Sequence, residues 1–260
     1  MSQAETFRKL HEGPELLVLP NAWDAASAAL MQDAGAKAVA TSSAAVAWAH
    51  GYADGDVLPR PALLATISEI ARVISVPLTA DIEGGYTDDL SELAETTRAV
   101  AGAGAVGINL EDGARSPELH ARKVEAARRA APDLFVNARI DVYLRGGEGD
   151  EALAETLRRA EAYRQAGASG IFVPGPVDET LIGVLASEIG LPLNVMGRAG
   201  APPAARLQAL GVRRLSSATA PFRAAYAALQ RSVVAYVRDG NADALASLGQ
   251  GLTDLNKRFA

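Results

Sequence analysis

Short apolar runs and longer amphipathic stretches alternate along the whole chain. Eight short, largely apolar runs have the length of buried strands: 16–20, 38–42, 77–83, 106–112, 134–141, 170–174, 192–196 and 212–217. Eight further segments have the apolar spacing of helices: 24–34, 60–74, 90–102, 117–131, 150–166, 178–188, 203–210 and 221–238. This alternation predicts a parallel sheet whose strands are joined by crossover helices.

Glycine marks the ends of several predicted helices and helps to count the units. Gly35, Gly167 and Gly211 each follow an apolar-periodic stretch, where a left-handed helix end favours glycine. Eight strand–helix units can close into a barrel or form an open sheet. No G-x-G-x-x-G or G-x-x-x-x-G-K-[ST] motif follows the first strand, which weakens the nucleotide-binding open sheet. We therefore predict one (β/α)8 TIM barrel over residues 1–240 and a helical tail over 241–260.

The composition narrows the class of protein. The chain has 260 residues, 49% of them apolar and 22% charged, with a net charge of −6 and no cysteine. The apolar and charged fractions are typical of a globular protein with a substantial core. The absence of cysteine excludes disulfides, thiolate metal sites and a cysteine nucleophile. The acidic balance argues against nucleic-acid binding, and no apolar run is long enough to cross a membrane. Because the first residues are charged rather than apolar, we expect a cytoplasmic enzyme without nucleic-acid or membrane partners.

Acidic residues gather where successive predicted strands end. The third strand ends with Asp81 and Glu83, the fourth with Glu111, and the fifth with Arg139. Catalytic groups of a barrel lie at the carboxyl ends of its strands, and unpaired acids there are costly to bury. Asp81 and Glu83 are two residues apart, so an extended strand directs both to one face, which Glu111 can share. Oxygen ligands of this kind favour Mg²⁺ over Zn²⁺, and Arg139 can pair with a substrate carboxylate.

Structural roles compete with this interpretation at single positions. Asp112 lies beside a glycine turn and is typical of a helix cap or turn residue. Asp141 fits a partner that orients Arg139. His11 and His120 are expected to be solvated residues on helices. The joint pattern on successive strands is harder to explain structurally than any one of these residues, and it favours a functional site.

Five segments carry a family resemblance, in the same order along the chain: LPNAWDAASA (19–28), ATSSAAVAWAHGYADGD (40–56), TADIEGGYTD (79–88), GINLEDG (107–113) and VNARIDVYLRG (136–146). With these segments the chain resembles the isocitrate lyase/phosphoenolpyruvate mutase superfamily, and within it the small phosphonomutase-like branch. The resemblance implies a Mg²⁺-dependent TIM barrel, with Mn²⁺ as a substitute ion, that binds a 2-oxo acid. It also implies a homodimer or homotetramer that exchanges the last barrel helix, here 221–238.

The resemblance also assigns roles to individual residues. It makes Asp81 the principal metal carboxylate and groups Glu83 and Glu111 with it at the metal. The residues that it expects to hold metal-bound water are Asp54, Glu83 and Glu111. The residues that it expects to bind the substrate are Ser42, Ser43, Ala44 and Arg139. Of these, the residues expected to be catalytic are Arg139, Asp54 and Glu111.

Two departures from the superfamily narrow the expected reaction. Isocitrate and methylisocitrate lyases carry K-[KR]-C-G-H after the fourth strand, whereas this chain has EDGARSPELHARK with no cysteine or general-acid lysine there. The gating loop of the phosphonate enzymes is also shortened, and Val173-Pro174-Gly175 ends the sixth strand without the mutase histidine. We therefore expect a lyase that cleaves a C–C bond of a small 2-oxo or 2-hydroxy (di)carboxylic acid through an enolate. The alternatives are a phosphonopyruvate hydrolase or mutase type of P–C bond enzyme, a non-catalytic 2-oxo acid binding protein and a nucleotide- or phosphosugar-binding barrel.

Overall fold

The computed structural model describes residues 1–260, and nine parallel strands form its central sheet. The strands are β1 (Leu17–Leu19), β2 (Asn21–Ala22), β3 (Val39–Thr41), β4 (Leu78–Asp81), β5 (Gly107–Glu111), β6 (Phe135–Arg139), β7 (Gly170–Phe172), β8 (Leu193–Met196) and β9 (Arg214–Ser216). The helices are α1 (Gln3–Glu12), α2 (Ala25–Asp33), α3 (Ser43–Ala49), α4 (Arg60–Val73), α5 (Leu90–Gly102), α6 (Pro117–Ala130), α7 (Gly149–Gln165), α8 (Glu179–Glu188), α9 (Ala204–Ala209), α10 (Ala220–Asp239), α11 (Asp243–Gly249) and α12 (Leu255–Phe259). None of these helices combines the length and the hydrophobicity that crossing a membrane requires.

The sheet closes into a barrel because two short consecutive strands at its start, β1 and β2, pair with different neighbours. β1 pairs with β9, and β2 pairs with β3. Only Pro20 separates β1 from β2, and its carbonyl oxygen accepts a hydrogen bond from the amide of Ala40 at 2.9 Å. Residues 17–22 therefore occupy one strand position of the barrel, which we call the first stave. With β1 and β2 counted together, the nine strands make the eight strand positions of a (β/α)8 barrel, as the sequence predicts.

Two helices are absent from the sequence-based prediction. The first, α1, begins with a capping box between Ser2 and Glu5, and it closes the amino end of the barrel by burying Phe7 against Phe135. The second, α3, has the sequence SAAVAWA, which is small and apolar on every side. Such a segment has no amphipathic period from which a helix can be recognised. Of the two, α3 matters for the site, because it begins directly after β3.

The last long helix leaves apolar side chains in solvent. α10 ends at Gly240, which has a left-handed φ of 76°, and it packs mainly on β2 and α11. Val237 on α10 is 77% exposed, and Leu229 on the same helix is 51% exposed. On the outer face of the barrel, Val18 of β1 is 55% exposed. In this chain α10 therefore leaves Val18, on the outer face of the first stave, uncovered.

Candidate active site

A cavity of about 180 Å³ lies at the carboxyl ends of the strands. Its lining comes from strand ends and from the loops that follow them: Asn21, Ser42, Ser43, Ala44, Asp54, Asp81, Asn109, Arg139, Leu144, Phe172, Pro174, Met196, Ser216, Ala218 and Thr219. Six of the eight predicted site residues are in this set, and the other two, Glu83 and Glu111, are not part of the lining. The structure therefore brings most of the predicted residues to one place.

Two carboxylates face this cavity without a basic partner. Asp81, at the end of β4, is 7% exposed and accepts hydrogen bonds from the backbone amide of Glu83 at 3.0 Å and from Nδ2 of Asn109 at 3.0 Å. Asp54 lies in the loop between α3 and α4, and burial, together with the Asp81 carboxylate, raises its pKa. Arg139, the one basic residue of the lining, pairs with other acids. The cavity therefore concentrates uncompensated negative charge.

Hydrogen bonds below the cavity fix the position of Asp81. Oδ1 of Asn109 accepts from Nδ2 of Asn137 at 2.9 Å and from Nη2 of Arg214 at 3.2 Å, which leaves Nδ2 of Asn109 to donate to Asp81. Arg214 is fully buried inside the barrel, and burial lowers its pKa to about 9 against the opposing attraction of Asp81. The sequence analysis does not identify Asn109 and Arg214 as site residues. The signal that could have found them is that each is a polar residue within a strand that is predicted to be buried.

Arg139 lies between two acids. Its Nη1 is 2.6 Å from Oε2 of Glu111, and its Nε donates to Oδ1 of Asp141 at 2.7 Å. A second bond joins Nη2 to Oδ2 of Asp141 at 3.1 Å, which confirms the prediction that Asp141 orients Arg139. Burial works against the charge of Arg139, but the carboxylates of Glu111 and Asp141 outweigh it and raise its pKa. The guanidinium is therefore held in one orientation, at the edge of the cavity.

Glu111, on the far side of Arg139, is an acid whose charge is unfavourable in the folded chain. Burial raises the pKa of Glu111 to about 8, although Arg139 opposes this shift. The carboxylates of Asp81, Asp141 and Asp54 add to the shift by repulsion. Glu111 therefore takes up a proton on folding at pH values where the unfolded chain has lost it.

This shift predicts how stability depends on pH in the absence of metal. A raised pKa in the folded state stabilises the protein below the unfolded pKa, near 4.5, and the stabilisation is lost as the pH rises towards about 8. We expect the free energy of unfolding in urea with EDTA to fall across this range, by up to about 5 kcal/mol. Glu111→Gln should flatten the dependence, whereas Glu188→Gln on an exposed helix end should not. An unchanged slope in Glu111→Gln would show that other groups cause it.

Glu83 lies beyond the end of β4 and has a left-handed φ of 52°. The prediction that Asp81 and Glu83 share one face of a strand is therefore wrong, because the chain is no longer extended at Glu83. The Glu83 carboxylate accepts hydrogen bonds from the backbone amide of Asp56 and, at 3.2 Å, from the hydroxyl of Tyr86. In this way Glu83 holds the loop between α3 and α4, which brings Asp54 to the cavity.

Arg115 ties together the loops around the cavity. Its Nη2 is 2.9 Å from Oδ2 of Asp56, and its Nε is 2.6 Å from Oδ1 of Asp88. A Cβ atom on Gly84 would lie 2.1 Å from Nη1 of Arg115, so only glycine allows this approach. The short loop after β5 is therefore locked to two neighbouring loops by ion pairs.

Asp112 is the centre of a buried ion pair. It is fully buried, and its Oδ2 accepts from Nη1 of Arg159 at 2.7 Å and from the hydroxyl of Tyr163 at 2.8 Å. Its Oδ1 accepts from the backbone amide of Asp141 at 2.9 Å. The prediction of a turn residue is confirmed, because the carbonyl oxygen of Asp112 accepts from the amide of Arg115 at 2.8 Å. The alternative of a helix cap is wrong, because Ser116 caps α6 and the Asp112 side chain bonds to α7 and to the amide of Asp141.

The prediction that His11 and His120 are solvated is also wrong. His11 is 2% exposed and stacks on Phe135 with 4.2 Å between ring centroids. His120 is fully buried, with its ring edge-on to Tyr163 at 4.5 Å. Burial lowers the pKa of each imidazole to about 3. Both residues lie on helices, as expected, but on the faces that pack against the barrel, and neither reaches the cavity.

The fold and this cavity define a barrel enzyme scaffold with an acidic site at the carboxyl ends of its strands. The family model described as phosphoenolpyruvate phosphomutase matches residues 7–237. The chain therefore belongs to this family, within the isocitrate lyase/phosphoenolpyruvate mutase superfamily, and the resemblance inferred from the sequence is confirmed.

The proteins that this chain is similar to differ in their assigned activities. An uncharacterised protein of Mycobacterium tuberculosis is 35% identical over 223 residues, which cover 84% of each chain. A 2-methylisocitrate lyase of Bacillus subtilis is 30% identical over 203 residues, which cover 73% of this chain and 65% of the relative. The crystal structure of a 2,3-dimethylmalate lyase has a TM-score of 0.83 and 26% identity, and it covers 94% of this chain and 90% of its own.

Proposed function

We propose that the protein is a Mg²⁺-dependent lyase that breaks a carbon–carbon bond of a small 2-oxo or 2-hydroxy acid and forms an enolate. The observation that carries the proposal is the pair of carboxylates, Asp54 and Asp81, that face a small cavity without a basic partner. A divalent cation offsets this charge. Lyases and mutases among the relatives support the same class of chemistry.

The oxygen donors fit a hard cation that takes few direct protein ligands. No three or more Asp, Glu or His side chains are arranged to bind one ion together. Mg²⁺ binds one or two carboxylates and keeps its other positions for water and substrate, so Asp81 is the proposed direct ligand. Asp54, Glu83 and Glu111 are proposed to act through water, and Mn²⁺ is the expected substitute. When bound, the ion supplies positive charge beside the oxygen on which the enolate charge develops.

The substrate carboxylate is proposed to lie at the start of α3. The amides of Ser43 and Ala44 come first in this helix and have no intrahelical acceptor. The Ser42 oxygen accepts from the amide of Ala45 at 3.5 Å, so its O–H remains able to donate. Arg139, held by its two acids, also lines the cavity and is proposed to orient the acid group.

A panel of possible substrates tests the proposal. Oxaloacetate, alkylmalates and phosphonopyruvate are incubated with the protein and Mg²⁺, and the release of pyruvate and of phosphate is measured. We expect pyruvate without phosphate, and we expect the activity to stop with EDTA and to return with Mg²⁺ or Mn²⁺. Phosphate release from phosphonopyruvate would support a P–C bond enzyme instead. Metal-dependent binding of every acid without turnover would support a binding protein.

We also propose that α10 packs against a second copy of the chain. Its exposed side chains Leu229 and Val237 form an apolar surface of the kind that marks a protein–protein contact. The outer face of the first stave offers a complementary place, because Val18 and Met31 line an apolar groove of about 390 Å³ beside it. Exchange of α10 between subunits would cover both surfaces.

Light scattering during gel filtration checks this assembly. The wild-type protein is expected to have the mass of a dimer or tetramer, because burying both apolar surfaces favours association. Val237→Asp should lower the mass to that of the monomer, since it places a charge in the interface. Val177→Asp, at an exposed position outside α10, is the control and should keep the wild-type mass. A monomeric wild-type protein would contradict the assembly.

A further inference from the structure

Arg214 is a buried charged residue that takes no part in the proposed contacts with metal or substrate. It lies on β9 inside the barrel and is fully buried. Its Nη2 donates to Oδ1 of Asn109 at 3.2 Å, and its Nε and Nη1 have no hydrogen-bond partner in the chain. The guanidinium therefore contacts only a neutral acceptor, which satisfies one hydrogen bond but does not balance the positive charge.

The negative charge that Arg214 senses is that of Asp81. Asp81 is the only acid whose attraction opposes the effect of burial on the pKa of Arg214. One amide group joins the two residues, because Nδ2 of Asn109 donates to Oδ2 of Asp81 at 3.0 Å while its Oδ1 accepts from Arg214. His11 adds no charge of its own, since burial and the charge of Arg214 lower its pKa to about 3. Arg214 therefore places a fixed positive charge behind the proposed metal ligand.

The hydrogen bond from Arg214 is not needed to orient Asn109. Nδ2 of Asn137 donates to the same Oδ1 at 2.9 Å, and this bond already makes Oδ1 the acceptor and leaves Nδ2 to donate to Asp81. A buried cation without an acid in contact also costs free energy, which an apolar side chain of similar size would avoid. What Arg214 adds at this position is therefore its charge.

A fixed positive charge behind Asp81 acts differently on a metal ion and on a metal ion with its ligand. Since a protein interior screens charges less than water does, Arg214 repels a divalent cation at Asp81 across the intervening amide. A divalent cation together with a dianion has no net charge, so the repulsion is nearly cancelled. We propose that the charge of Arg214 couples metal binding to substrate binding, because it weakens binding of the ion alone but not of the ion with a dianionic ligand. This inference rests on the proposed function, which places the ion at Asp81.

Mn²⁺ binding at neutral pH, measured from the electron paramagnetic resonance signal of the free ion, tests this coupling. Arg214→Met and Arg214→Gln both remove the charge and leave the bond from Asn137 to Asn109 in place. We expect Mn²⁺ alone to bind at least about tenfold more tightly to these variants than to the wild-type protein. With saturating oxalate, the three proteins should bind Mn²⁺ equally. Asn137→Leu is the matched control, because it removes a neutral donor from the same oxygen atom, and it should not tighten the binding of Mn²⁺ alone.

The outcomes separate this inference from the proposed function. If the wild-type protein binds no Mn²⁺ even with oxalate, or if Asp81→Asn binds it as tightly, the proposed function fails and the inference fails with it. If Asp81 is required but neither Arg214 variant binds Mn²⁺ alone more tightly than the wild type, only the inference is overturned. Weaker binding in both variants, with and without oxalate, would also overturn it, because Arg214 would then act by positioning Asn109.

Discussion

Asp81→Asn is expected to abolish Mg²⁺-dependent binding of oxalate, a planar dianion that mimics an enolate. Asp81 is the proposed direct ligand, and its loss removes the charge that attracts the cation. Since loss of even an outer partner lowers metal affinity 10- to 100-fold, we expect a decrease of about 100-fold or more. Calorimetric titration of oxalate with Mg²⁺ present measures this effect.

Asp81→Asn should still fold, because its Oδ1 keeps the acceptor for the Glu83 amide, and removing a buried charge without a basic partner offsets the hydrogen bond from Asn109 that the new amide N–H cannot accept. Thermal unfolding without metal checks this point. Asp178→Asn is the matched control, because Asp178 caps α8 at an exposed position and Asn is an equally good cap. Oxalate binding of wild-type strength in Asp81→Asn would remove Asp81 from the metal site.

Asp112→Asn is expected to give the opposite result, a loss of stability with oxalate binding retained. The substitution leaves Arg159 facing an amide N–H in place of a carboxylate oxygen, at a position with no access to water. Breaking a buried ion pair on one side costs about 3 kcal/mol or more. The free energy of unfolding in urea measures the loss.

Tyr163→Phe, a smaller change in the same hydrogen-bond cluster, is the control for Asp112→Asn. Tyr163→Phe removes only the hydroxyl that donates to Asp112, and it should cost about 1 kcal/mol. If Asp112→Asn had wild-type stability but no longer bound oxalate, Asp112 would belong to the metal site and not to the scaffold. The pair Asp81 and Asp112 therefore separates function from stability at two neighbouring strand ends.

The fold could be predicted from local patterns because each stave repeats them. The helix predicted over 90–102 has the same ends in the structure, where Asp89 caps α5. The division of the first stave at Pro20 could not be predicted, because it depends on pairing with β9, which lies almost 200 residues later. Hydrophobic periodicity describes one element at a time and contains no such long-range pairing.

The candidate site could be predicted only in part, and for a similar reason. The sequence identifies Asp81 and Arg139 as candidate site residues because each is a charged residue at the end of a buried strand. The separate role of Glu83 could not be found, because the change to a left-handed backbone after β4 is set by tertiary contacts with the loop at Asp56. Arg214 was missed because its partner, Asn109, lies on the opposite side of the barrel interior and 105 residues away in the sequence.

A crystal structure of the protein with Mn²⁺ and oxalate tests the metal site directly. The anomalous signal of Mn²⁺ locates the ion without any assumption about the ligand. We predict one ion in the cavity, bonded to a carboxylate oxygen of Asp81, with oxalate between it and the start of α3. An ion bound elsewhere, or oxalate in the cavity without an ion, would contradict it.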